Sequence, residues 1–305
     1  MTRRRIIEPG RTWALSRRTT QRYFLLNPDE ARELERCYWY CLGLAAQRFG
    51  VIVHAGCLMS THSHEVVTDI RGELPRFLQE FHRLLALTTK AFRGWPGEVF
   101  DKRSTGQHAL LTTEAILEAL SYLIANPVEG GGVRYAKDWP GAHTLPRDIG
   151  VRVVKAERPP HYFDPDNPGW PDEVELRLEM PTTLELDYGT KLAQARIAER
   201  VREREHRAWQ ESKRTGIAFA GPRRVLRQVH TKRARSYEVF GSLNPQFAVA
   251  GHRGAAREAV RRLRTFNAQY DKALAAWTAG KRTVPFPYGT WWMRVCHGAR
   301  CGPAP

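Results

Sequence analysis

The stretch Leu58-Met-Ser-Thr-His-Ser-His-Glu-Val-Val67 decides how the chain is read. His62 and His64 are separated by one residue in a segment that turns apolar and β-branched at Val66. Side chains alternate along a strand, so both imidazoles point to one face and can grip one metal ion. About sixty residues later comes Leu120-Ser-Tyr-Leu-Ile-Ala-Asn-Pro-Val128. There Ile116, Leu117, Leu120, Leu123 and Ile124 mark the apolar side of a helix and leave Glu118, Tyr122 and Asn126 on another. A phenol and an amide thus share one helical face.

Around these two stretches the pattern is strand, helix, strand, strand, helix, strand, helix. Residues 22–26 read as a strand. Asn27-Pro28-Asp29-Glu30 supplies an N-cap, a first-turn proline and acidic first-turn residues for a helix that carries Cys37 and Cys41 toward the core. Residues 51–59 and 62–69 read as consecutive strands meeting near Ser60-Thr61. A second amphipathic helix runs from Leu74 to Phe92 and stops at Gly94. A short apolar run follows around residues 109–111, and the tyrosine helix is capped by Thr112 or Thr113, with Pro127 and Gly130 to Gly132 stopping it and Asn126 in its last turn. The expected fold class is α+β: a ferredoxin-like, split βαβ antiparallel sheet with an added tyrosine-bearing helix, followed by a mainly helical basic C-terminal region.

On these residues the chain resembles the single-tyrosine HUH transposases, in particular the REP-associated tyrosine transposases and their insertion-sequence relatives. That family carries a Met-Pro-Asn-His-Val-His-Leu-like strand and a later Tyr-Ile-x-x-Asn-Pro-Val helix end; the counterparts are residues 59–65 and 122–128. Here Ser60-Thr61 precede the first histidine, Ser63 separates the pair and Glu65 stands where leucine is common, changes that fall on the packing of the opposite face. The resemblance implies a divalent ion, Mg2+ or Mn2+, on His62, His64 and Asn126, with Tyr122 as the nucleophile that forms a 5′-phosphotyrosine link. It implies single-stranded or hairpin DNA as partner, and Lys102 and Arg103 as phosphate contacts. A phenol is mostly protonated near pH 7 and needs the metal's field or a base. Glu118, one turn before Tyr122, and Glu65, next to His64, are the nearest carboxylates by sequence, with surface charge as the competing role.

The totals set the outer bounds. The chain has 305 residues, 42% of them hydrophobic, and a net charge of +16. Residues 188–305 alone hold 24 basic and 7 acidic side chains, whereas residues 157–187 hold 2 and 9. So basic a section is a footprint for a polyanion. Five cysteines without a secretory leader suggest a reducing interior, and no apolar run approaches the roughly 20 residues of a membrane helix. The expected setting is cytoplasmic and nucleoid-associated, as monomer or homodimer.

The expected organisation is a flexible basic arm (1–20), a catalytic domain (21–156), an acidic proline-rich linker (157–189) in which Val174, Leu176, Leu178 and Met180 alternate as one edge-like strand, and a basic nucleic-acid-binding region (190–305). Within that last region, residues 191–214 read as a solvated helix or one lying on nucleic acid, and residues 260–277 as a helix with a packing face. Cys296, His297 and Cys301 fall in an expected unstructured tail. A non-catalytic DNA- or RNA-binding protein on the same fold is the competing reading, and an amidohydrolase barrel lacks the strands it needs.

Overall fold

A computed structural model describes residues 4–102, 106–235 and 245–304. Among them five strands form one sheet in the order β2-β3-β1-β4-β7: β1 is Arg11–Arg18, β2 Val51–Met59, β3 His62–Asp69, β4 Gly106–Leu110 and β7 Phe247–Ala248. β3 runs antiparallel to β1 and β2, β4 antiparallel to β1, and β7 parallel to β4. The first four strands carry the ferredoxin-like order, and the α+β fold class stands.

Helices cover both faces. On one lie α1 (Glu33–Phe49) and α2 (Leu74–Arg93), packed on Trp13, Leu15, Val53 and Val67. On the other lie α3 (Thr113–Glu129) and α4 (Thr182–Thr215), packed on Ala55, Cys57, Met59, Val66 and Leu110. Leu117, Leu120 and Ile124 of α3 are fully buried, at about 1.5–3 kcal/mol each. Turning α3 would expose all three, so the azimuth that aims Tyr122 and Asn126 is fixed by packing.

The arginine-rich start is not a free arm. Residues 11–18 form β1, the central strand, while residues 22–26, expected as a strand, are turn and coil closed by Leu25 and Leu26 in the core. The helix start also differs: α1 begins at Glu33, where the Asp29 carboxylate accepts from the N–H groups of Glu33 and Leu34 at 2.9 and 3.0 Å. Asn27 is buried instead, donating to the Val225 carbonyl at 2.9 Å and accepting from Ser60 Oγ at 2.8 Å. The expectation for the tyrosine helix holds at its start, where Thr112 Oγ1 accepts from Ala115 N at 3.1 Å. It holds at its end too: Pro127 lies inside the last turn with Asn126, and α3 stops at Glu129 with Gly130 as its cap.

The acidic segment expected as a linker is packed. Its strand β6 (Glu173–Arg177) pairs antiparallel with β5 (Val153–Glu157), and Val174, Leu176 and Leu178 are buried in the α1 core while Glu173 and Glu175 face water. Gly43 of α1 permits this: a Cβ there would lie 2.6 Å from Val174 Cγ1. α4 is likewise not a free solvated helix, since Leu184, Ala193, Ile197 and Val201 bury a narrow stripe against α3.

After a short α5 (Pro222–Leu226) and β7, the last section holds α6 (Arg253–Thr278) and α7 (Trp292–His297). Phe286, Met293 and Ala299 pack on Tyr270, Ala273, Leu274 and Trp277. Cys296 and His297 lie in α7 and Cys301 bridges Phe286, so this end is structured. The chain's start is tied to it: Arg4 pairs with Asp271 at 2.6 Å, Glu8 with Arg262, and Ile7 N–H donates to Gly289 O at 3.0 Å. No helix among the described residues is long and apolar enough to cross a membrane.

Candidate functional site

β3 alternates as its sequence requires. His62 and His64 face α3; Ser63 and Glu65 face α1. Asn126, one turn after Tyr122, brings its amide between the two imidazoles. Its Oδ1 lies 3.2 Å from His62 Nε2, and its Nδ2 lies 3.5 Å from His64 Nε2. The ring centroids are 4.8 Å apart at 87°. His62 Nδ1 is held by Thr61 Oγ1 at 3.0 Å, which leaves Nε2 for the site. The Tyr122 ring meets the His64 ring edge-on, centroids 5.4 Å apart, and Asn126 acts on its hydroxyl. Tyr122 is 40% exposed whereas Asn126 is buried. One phenol oxygen, two imidazole nitrogens and an amide therefore converge at an opening of the surface.

The electrostatics favour a polyanion. Arg18 lies opposite His62 in register and acts on both His64 and Tyr122. Arg204 of α4 stands over the Tyr122 ring, with its Cζ 5.4 Å from the centroid. Burial, then His62, holds His64 well below the usual imidazole range, so its ring is neutral at pH 7. Burial and Glu129 raise the Tyr122 phenol above its usual value, against Asn126, Arg18 and Arg204, which pull it down. The hydroxyl is thus a weak nucleophile until something favours its anion.

The carboxylates singled out from sequence lie elsewhere. Glu65 is buried on the α1 face, where it accepts from the Tyr38 hydroxyl at 3.1 Å; it is turned away from Tyr122. Gly56 makes room for that phenol, since a Cβ there would lie 2.4 Å from the Tyr38 hydroxyl. Glu118 is paired with Arg204. Lys102 is exposed, next to Asp101, whose N–H donates to the Arg18 carbonyl at 3.0 Å near the His62 end of the sheet. Arg103 lies outside the described residues.

Arg18, His108 and Arg204 escaped sequence reading. His108 faces Ala14 across β1 on the histidine side of the sheet and acts on His64. The alternation Ala14, Ser16, Arg18 would have exposed the first had residues 11–18 been read as a strand. Arg204 has no sequence signal among the charges of α4.

Among the described residues no three His, Cys, Asp or Glu side chains cluster as a metal site. The donor set here is two imidazoles and an amide oxygen, and their convergence fits a divalent cation that leaves its other positions to an anionic ligand and water.

No family model matches the chain. No curated protein matches it either. The chain is similar to the solved structure of a REP-associated tyrosine transposase bound to a REP hairpin, at 20% identity and a TM-score of 0.41, over 48% of this chain and 84% of that one. At that level the likeness carries no functional weight, which rests on the side chains.

Proposed function

We propose that the chain is a metal-dependent single-tyrosine enzyme that cuts and rejoins single-stranded DNA beside hairpins. The observation that carries this is the meeting of Tyr122, Asn126, His62 and His64 at one opening. His62, His64 and the Asn126 amide oxygen would hold one Mg2+ or Mn2+ ion, which when bound supplies a Lewis acid at the scissile phosphate. Tyr122 oxygen forms a bond to phosphorus while the bond from phosphorus to the 3′ oxygen breaks. The phenol proton goes to solvent, and the 3′ oxygen leaves as a hydroxyl with a proton from solvent. The 5′-phosphotyrosine bond conserves the energy needed for rejoining. Arg18 and exposed Lys102 flank the site for the phosphate backbone.

Full-length protein, a labelled hairpin oligonucleotide with a single-stranded flank, and Mn2+ are expected to give a covalent adduct that survives denaturation. Tyr122→Phe removes it completely. An adduct persisting in that variant moves the nucleophile elsewhere; tight DNA binding without any adduct leaves a non-catalytic nucleic-acid-binding protein.

The basic C-terminal section has a surface suited to the rest of the DNA. Arg253, Arg257, Arg261 and Arg264 of α6 are exposed and occupy one arc of about 80° along about 17 Å of helix. Arg253, Arg257 and Arg264 have no ion-pair partner among the described residues. Changing these three to glutamine is expected to weaken DNA binding for all sequences alike and to lower the slope of log K against log salt by about 2–3. An unchanged slope, read by fluorescence anisotropy across salt, removes α6 from the interface.

A further inference from the structure

We propose that Arg204 is a positioning residue for Tyr122, through which helix α4 sets the orientation of the attacking phenol. The inference rests on the reading of Tyr122 as nucleophile. Glu118 and Glu129 lie one turn before and two turns after Tyr122 on α3, so the three side chains share a stripe. Arg204 bridges the two carboxylates, Nη1 donating to Glu129 Oε1 at 2.7 Å and Nη2 to Glu118, and the guanidinium lies over the phenol between them. Its side chain is only 12% exposed, and its Nε is buried with no acceptor. A guanidinium desolvated to that degree is not surface decoration.

The arm that carries it is itself fixed. Val201, three residues before, is buried against α3, and Glu205, the next residue, is buried and accepts from Ala136 N at 2.8 Å. Arg200, one turn earlier on α4, pairs with Glu114 at 2.5 Å. Tyr122 is thus held by the His64 ring from the sheet and by Arg204 from α4. A planar fork can pair two carboxylates and stack on a ring at once, which an ammonium cannot do. The site is incomplete without a helix that follows the whole sheet-and-helix pattern first read around the histidines.

Three forms of the full chain test this: wild type, Arg204→Met, which keeps the stem's packing, and Arg204→Lys, which keeps only charge. One readout needs neither metal nor DNA. In protein labelled with 3-fluorotyrosine, the fluorine resonance missing from Tyr122→Phe is that of Tyr122. It is expected to move toward the position of exposed tyrosines in Arg204→Met, with Arg204→Lys failing to restore it. The second readout separates rate from affinity: single-turnover adduct formation with Mn2+ and the hairpin oligonucleotide falls about 100-fold in Arg204→Met, while the Kd for the same oligonucleotide stays within about twofold. An unmoved resonance with an unchanged rate overturns the proposal. So does a raised Kd at unchanged rate, which makes Arg204 a phosphate contact. If the wild type forms no adduct, the strand-cutting reading fails, and the fluorine resonance still decides whether Arg204 orients the ring.

Discussion

Replacing His64 by alanine is expected to weaken Mn2+ binding by more than about 100-fold, since loss of even an outer-shell partner of a metal site costs 10–100-fold. His64 is held in its neutral state by burial and by the neighbouring His62. Its Nε2 lone pair is therefore available without the loss of a proton near neutral pH. Removing it leaves one imidazole and one amide, too few for a firm hold. Titration of the protein with Mn2+ alone, followed calorimetrically, reads the effect directly, and adduct formation with the oligonucleotide falls with it. Equal Mn2+ affinity in the two proteins sinks the assignment of His62, His64 and Asn126 as ligands.

The second large effect concerns stability and lies on the other face of β3. Burial pushes the Glu65 carboxyl up to about 8 from an ordinary 4.5, despite the hydrogen bond from the Tyr38 hydroxyl. A carboxyl whose folded value lies above its unfolded one favours the fold fully below pH 4.5. That contribution is lost progressively as pH rises from 4.5 through 8, because over that range the unfolded chain has given up the proton that the folded state still holds. Glu65→Gln keeps the shape and removes the titration. The variant is expected to gain on the order of 3–5 kcal/mol over wild type at pH 9 relative to the difference at pH 4.5. Urea unfolding at the two pH values measures it, and parallel stability curves for the two proteins contradict it. The acid side is governed by other groups: burial lowers His54 and His143 to about 4 and His82 to about 3. Each favours the fold above its unfolded value near 6.5, and that support fades as pH falls through its folded value.

Much of the site could be read from sequence because its two halves are each local. His62 and His64 need only the period of a strand, and Tyr122 and Asn126 only that of a helix; the structure brings these halves together within hydrogen-bonding reach. What escaped depended on distant partners. β1 shows only Trp13 and Leu15 as large apolar side chains between arginines, and its place in the sheet is set by pairing with β3 and β4. Asn27 looked like a helix cap, yet its amide is spent on Val225, far along the chain. The alternation of Val174 and Leu176 marks β6 as a strand, but nothing local shows that residues 153–157 pair with it and fasten the acidic segment to the core. Arg204 is one charge among many until α4 is laid on α3. Glu65 was placed beside His64 by chain neighbourhood, whereas a strand sends adjacent residues to opposite faces.

The late arrival of β7 bears on how the chain matures at the ribosome. β4 ends at Leu110, and the segment that shields its outer edge, Phe247–Ala248, is made roughly 140 residues later. At about 5–20 residues per second that is a wait of some 7–30 s, during which the nascent protein carries a bare strand edge. With β4 only five residues long, the template offered to a neighbouring nascent chain stays small through that interval.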